Sequence, residues 1–164
     1  MTGADEKGHP FQVRPYRPGD FQCLLDMYDL FAPKGRFQGM PPKEFGTLEK
    51  WVGMLIRDGE NVLAWRRERV IGHVVLLPDF EKKDAEYLIF VNRPDRGKGI
   101  GTKLTQTALQ WAEKLGLKTV WLTVDAYNFR AIRLYRKFNF SFCEAYESPS
   151  ERLMKYRCGS DDGT

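Results

Sequence analysis

Ala85-Glu86-Tyr87-Leu88-Ile89-Phe90-Val91 runs through Asn92-Arg93-Pro94-Asp95 into Arg96-Gly97-Lys98-Gly99-Ile100-Gly101-Thr102, and the fold turns on this stretch. The first seven residues are almost wholly apolar, with Glu86 the single interior charge, which predicts a central strand covered on both faces. From Gly99 to Leu115, residues Ile100, Leu104, Ala108, Trp111 and Leu115 recur on one face of a helix, and Gly116 stands just past its end. Three glycines between strand and helix let the backbone turn sharply, and the amides that open the helix then point outward together. An anionic pyrophosphate fits such a place.

Working outward, Phe11–Tyr16 alternates as a half-buried strand, and Asp20 is placed to cap a helix over Phe21–Leu30. The Gly- and Pro-rich stretch Ala32–Pro42 reads as a long functional loop, and Leu48–Arg57 as a second helix. Asn61–Arg66 and Val70–Leu77, separated by Arg67-Glu68-Arg69, predict an antiparallel hairpin. Beyond the central helix, Lys118–Val124 is strand-like and Asn128–Phe138 helical, with Asn128 its cap and Asn139 its left-handed stop. Phe140–Tyr146 and Arg152–Arg157 read as a closing antiparallel pair. The order predicts an α/β (α+β) fold, a mixed and largely antiparallel sheet of about seven strands with about four helices. A ligand would sit beyond Val91, where the central strand ends.

The 164 residues, 42% of them hydrophobic, suit one domain, expected over 11–157 with loose tails at 1–10 and 158–164. The +4 charge is spread along the chain and makes a nucleic-acid partner unlikely, while a few cations around one pocket would suit a polyanionic small ligand. Cys23, Cys143 and Cys158 have neither disulfide-framework nor metal spacing, so no metal is expected. No leader-like or membrane-length apolar run stands in the sequence, and a cytoplasmic location with no membrane partner is the default expectation.

The glycine spacing separates the phosphate-binding readings. A Walker loop needs Gly-Lys-Ser/Thr after its four-residue spacer, a dinucleotide turn a different third interval, and a kinase loop a strand on each side. Arg96-x-x-Gly99-x-Gly101 instead fits a turn that holds the pyrophosphate of coenzyme A; the plainer alternative is a turn that merely joins strand to helix. With Asn128-Phe129-Arg130-Ala131-Ile132-Arg133-Leu134-Tyr135-Arg136-Lys137-Phe138-Asn139-Phe140, it resembles the two signature motifs of the GNAT superfamily of acyl-CoA N-acyltransferases, over roughly Phe11–Arg157. Asn139 stands where the family usually has glycine, and Pro94 lies one residue later than in many members.

The resemblance implies direct transfer of an acetyl group from acetyl-CoA, a cosubstrate, to an amine. Glu86 is the candidate base, because burial would raise its pKa toward the working range; pairing with an arginine or facing solvent is the alternative. Amides near Phe90–Asn92 would stabilise the oxyanion. Tyr135 falls where the family carries its general-acid tyrosine, or else fills the core. The amides of Arg96, Gly97, Lys98, Gly99, Ile100, Gly101 and Thr102 would hold the pyrophosphate, with charge from Arg96 and Lys98. The strand at Phe90 and Val91 would bind the pantetheine arm, and Asn128 would bond it or serve only as a cap. Arg130, Arg133, Arg136 and Lys137 form a basic helix face, which either reaches the cofactor's phosphates or, as is commoner, is solvated. His73 reads as structural, and the four tryptophans as core. The strand motif and the opening Val13–Asp20 look like the acetyltransferase domain of bacterial protein-lysine acetyltransferases, where a glutamate at the Glu86 position is the base. Acceptors implied are a protein lysine, a small amine or an amino acid. A catalytically weak acyl-CoA-binding sensor or scaffold is the alternative, and a homodimer is allowed but required by no residue pattern.

Overall fold

A computed structural model describes residues 2–4, 9–31, 40–143, 148 and 150–159. The hairpin forms around Arg67-Glu68: β3 (Glu60–Arg66) and β4 (Arg69–Asp79) meet with Arg66 opposite Arg69, and Arg67 takes a positive φ of 58°. Val70 to Leu76 of β4 are all buried, because helices cover both faces of the sheet there. β2 (Pro10–Pro15) flanks β3, and β5 (Asp84–Val91) flanks β4, all antiparallel. β6 (Thr119–Asp125) pairs parallel to β5, and α3 (Ile100–Lys114) is the crossover that a parallel pair requires. β8 (Glu151–Arg157) then pairs antiparallel to β6. Gly116, at φ 76°, and Asn139, at φ 69°, take the left-handed turns after α3 and α4 (Phe129–Lys137).

The order is β1-β2-β3-β4-β5-β6-β8-β7, eight strands where about seven were expected. The additional strand is β1 (Thr2–Ala4), antiparallel to Pro10–Gln12, so part of the stretch 1–10 expected as a tail is a sheet edge. No sequence signal marks it, because a three-residue edge strand needs only backbone pairing. β7 is two residues, Ser141–Phe142, in place of Phe140–Tyr146; 144–147 lie outside the described residues, as do most of the expected loop, 32–39, and most of the expected C-terminal tail, 160–164.

α1 (Phe21–Leu30) and α2 (Phe45–Asp58) cover one face of the sheet, and α3 and α4 the other. α2 begins a turn before Leu48, since Phe45 half-exposes itself and carries no core signal. Asp20 stands at the N-cap position of α1 as expected, but its side chain makes no capping bond: its carboxylate accepts two bonds from Arg14, at 2.7 and 2.9 Å, and one from the Arg17 amide at 2.8 Å. That pairing holds its pKa below the usual carboxylate value. Of the tryptophans expected in the core only Trp65 is buried; Trp51, Trp111 and Trp121 are half-buried.

Candidate active site

The parallel ladder is short. β5 pairs β6 only over Asp84–Glu86 with Thr119–Trp121, and above that level the strands share no ladder bonds. Backbone direction in the freed half of β5 follows from one bond. The Asn92 amide donates to the Ile71 carbonyl of β4 at 2.9 Å. Backbone groups alternate sides along a strand, so Phe90 also turns its amide to β4, while Ile89 and Val91 turn theirs to the open edge. The Asn92 amide is therefore turned away from the opening, and those of Val91 and Ile89 face it. The Val91 carbonyl on that edge accepts a bond from Arg96 Nε at 2.8 Å. Arg96 thereby ties the turn to the strand end, with its guanidinium carbon 5.3 Å from the centre of the Phe31 ring.

The opening is a cleft of about 620 Å³. Ile89, Phe90 and Val91 form one wall, and Asn128, Leu134 and Tyr135 belong to the facing one. The glycine turn closes its end: Gly97 at φ 75° and Gly99 at φ 89° take left-handed conformations that side chains disfavour. The first helical bond of α3 runs from the Lys103 amide to the Gly99 carbonyl, 3.2 Å. The amides of Ile100, Gly101 and Thr102 precede it and project from the helix start. Ile100 itself is buried in the core and offers only its backbone, and Lys98 is half-buried and outside the cleft lining.

Arg130, read from sequence as part of a basic helix face either solvated or reaching the cofactor's phosphates, lines the cleft. A Cβ on Gly97 would stand 2.9 Å from its Nη2, so the turn and the first turn of α4 meet here. Burial, then the nearby Arg93 and Arg130, pull the Arg96 pKa down. Converging like charges of this kind suit an anion. Asn128 accepts the Ala131 amide at 3.2 Å through Oδ1, which leaves its side-chain NH₂ able to donate into the cleft.

Tyr135 packs edge-on to Tyr87, with ring centres 5.8 Å apart, and its exposure is 7%. Among the described residues its hydroxyl has no hydrogen-bond partner, and the residue belongs to the cleft lining; burial pushes its pKa well up, so it stays protonated. Glu86 does not line the cleft. It shares a sheet face with Leu88 and Phe90, opposite Leu77 of β4 and Trp121 of β6, at the level where the β5–β6 ladder ends. It is half-buried, and burial raises its pKa. Three residues of strand put it ~10 Å along the chain from Ile89.

Behind the strand end, His73 lies opposite Phe90 and is fully buried. Asn61 donates through Nδ2 to the Leu55 carbonyl, so its Oδ1 accepts from His73 Nε2 at 2.7 Å, and Nδ1 accepts from the Tyr28 hydroxyl at 2.6 Å. The imidazole is neutral, with its pKa lowered to about 3 by burial. Tyr28 and Trp51 pack edge-on against Phe90, at 5.4 and 5.5 Å. Phe31, Met40, Asp125 and Tyr127 also line the cleft and were not singled out from sequence as site residues. Among the described residues no cluster suits a metal ion, and no helix is long and apolar enough to cross a membrane.

Residues 24–140 match the family model described as acetyltransferase (GNAT) family. A probable spermine N(1)-acetyltransferase of Bacillus subtilis subsp. natto is 33% identical over 66 residues, covering 40% of this chain and 43% of that protein. The chain spans less than half the length of the curated relatives it matches. The GNAT domain of PAT from S. lividans superposes with a TM-score of 0.80 at 15% identity, covering 96% of each chain. The spermidine N-acetyltransferase of Vibrio cholerae, in complex with CoA and spermine, superposes with a TM-score of 0.67 at 19% identity, covering 90% of this chain and 95% of that one.

Proposed function

The chain belongs to the acetyltransferase (GNAT) family, and from that premise we propose that it transfers an acetyl group from acetyl-CoA directly to a primary amine. The observation that carries this reading is the freed edge of β5 facing an unpartnered tyrosine hydroxyl across a cleft that ends in a glycine turn. When bound, acetyl-CoA supplies an activated thioester. The projecting amides of Ile100, Gly101 and Thr102, with Arg130, hold its phosphates. The Ile89 and Val91 edge and the Asn128 NH₂ bind the amide-bearing arm and aim its end at Tyr135.

Val91 and Ile89 amides face the carbonyl oxygen on which negative charge develops, the role expected of the amides near Phe90–Asn92. Tyr135, kept protonated by burial, donates its proton to the departing sulfur. Glu86 accepts the proton of the amine. Its distance along the strand requires a water between, and its raised pKa favours that task. For the acceptor, a protein lysine, a small amine and an amino acid are the three classes. The Asp125 carboxylate in the cleft, with Glu151 directly opposite in register, supports an acceptor carrying further positive charge, as spermine does in the relatives.

Thiol release from acetyl-CoA, measured against spermine, free amino acids and lysine peptides, tests the proposal. Amine-dependent release is the expected result. Binding of acetyl-CoA with no release across the panel would leave a sensor or scaffold and overturn the transferase reading.

A further inference from the structure

Tyr127 and Phe129 are exposed at 76% and 64%, although each ring would gain from burial. They are not a frayed loop. The Asp125 carboxylate accepts the Tyr127 amide at 2.8 Å, the Asp125 carbonyl accepts the Asn128 amide at 3.0 Å, and the Tyr127 carbonyl accepts the Phe129 amide at 2.9 Å. The two rings stand perpendicular with centres 6.5 Å apart, so Phe129 braces Tyr127 by its edge. Tyr127 lines the cleft, and Arg130, in the next turn of chain, reaches back to Gly97. An open aromatic face thus stands beside a guanidinium and a phosphate-type turn.

We propose that Tyr127, braced by Phe129, is the stacking platform for a purine base at the outer rim of this cleft. The inference rests on the acyl-CoA reading and deepens it. The carrier is recognised by its nucleotide head as well as by its arm, so this chain selects a nucleotide-bearing thioester over a bare phosphopantetheine one. Stacking explains why the rings are left uncovered, since a π-face serves a base only while it is open.

The test titrates the full chain with etheno-CoA, whose modified adenine is fluorescent, and with 4′-phosphopantetheine. The expected result is a change of etheno fluorescence on binding, lost in Tyr127→Ala, with affinity falling roughly tenfold. Phosphopantetheine affinity stays level in that variant, and Tyr127→Trp restores the etheno signal. Unchanged etheno-CoA affinity in Tyr127→Ala, or an equal loss for both probes, overturns the platform. Failure of the unsubstituted chain to bind either probe overturns the acyl-CoA reading itself, and the platform with it.

Discussion

Acid should loosen the floor of the cleft through His73. The folded imidazole is neutral, held between Tyr28 and Asn61, with a pKa of about 3 against 6.5 in the unfolded chain. The unfolded chain therefore takes up a proton as pH falls below 6.5, and the folded one does not until about 3. Stability from this residue is whole above 6.5 and drains away as pH drops across that window. Between pH 8 and pH 5 the loss is about 2 kcal/mol, from the uptake of one proton by the unfolded state. With a urea slope of about 2 kcal/mol per molar, the unfolding midpoint shifts by about 1 M. Glu86 acts oppositely, because its folded pKa is raised and folding favours its protonated form, so the net shift is at most this size. Urea melts at pH 8, 7, 6 and 5 measure it. His73→Leu should flatten the curve, and the His73 ring resonances of the folded protein should not move over the same range. A midpoint independent of pH from 8 to 5, or a His73 ring that titrates near 6.5, would refute the reasoning.

Glu86→Gln should slow turnover at neutral pH by roughly a hundredfold, the low end for a general base because a water lies in the path. Acetyl-CoA affinity should hold, since Glu86 is off the cleft lining, and the acidic limb of the pH–rate profile should vanish with the carboxylate; an intact limb removes Glu86 as base. Tyr135→Phe should cost roughly ten- to a hundredfold in kcat while leaving Tm level, because the hydroxyl it deletes has no partner to lose. Full turnover in that variant, followed by thiol release, would leave the ring as packing.

Much of the fold was legible because its signals are periodic. The apolar run at Ala85–Val91, the helical spacing from Ile100 to Leu115 and the left-handed stops at Gly116 and Asn139 each survive in the structure within a residue or two. Short edges were not legible, since β1 and β7 are backbone pairings of three and two residues with no face to bury. Within the site, residues that act through backbone geometry, such as Gly97 and Gly99, announced themselves. The phase of the strand did not: which amides face the opening is set by one bond from Asn92 to Ile71, and side-chain pattern carries no trace of it. Arg130 stood between two readings for a related reason. Its spacing suits a solvated helix face, and only the approach of α4 to the glycine turn brings it into the cleft.

The bond from Arg96 to the Val91 carbonyl explains why this cleft has a direction. With that carbonyl taken, the outermost group left on the open edge is the Val91 amide, a donor, which suits a ligand carbonyl. Immediately beyond stand the guanidiniums of Arg96 and Arg130; burial, then Arg93 and Arg130, lower the Arg96 pKa, and that crowding of like charge is relieved by an anion. A ligand entering in the opposite sense would set phosphate against apolar Ile89 and Leu134, away from Arg96 and Arg130. Charge therefore fixes the orientation before Tyr135 or Glu86 does any chemistry. Replacing Arg96 would disturb the strand end and the anion site together, whereas replacing Arg130 would touch the anion site alone.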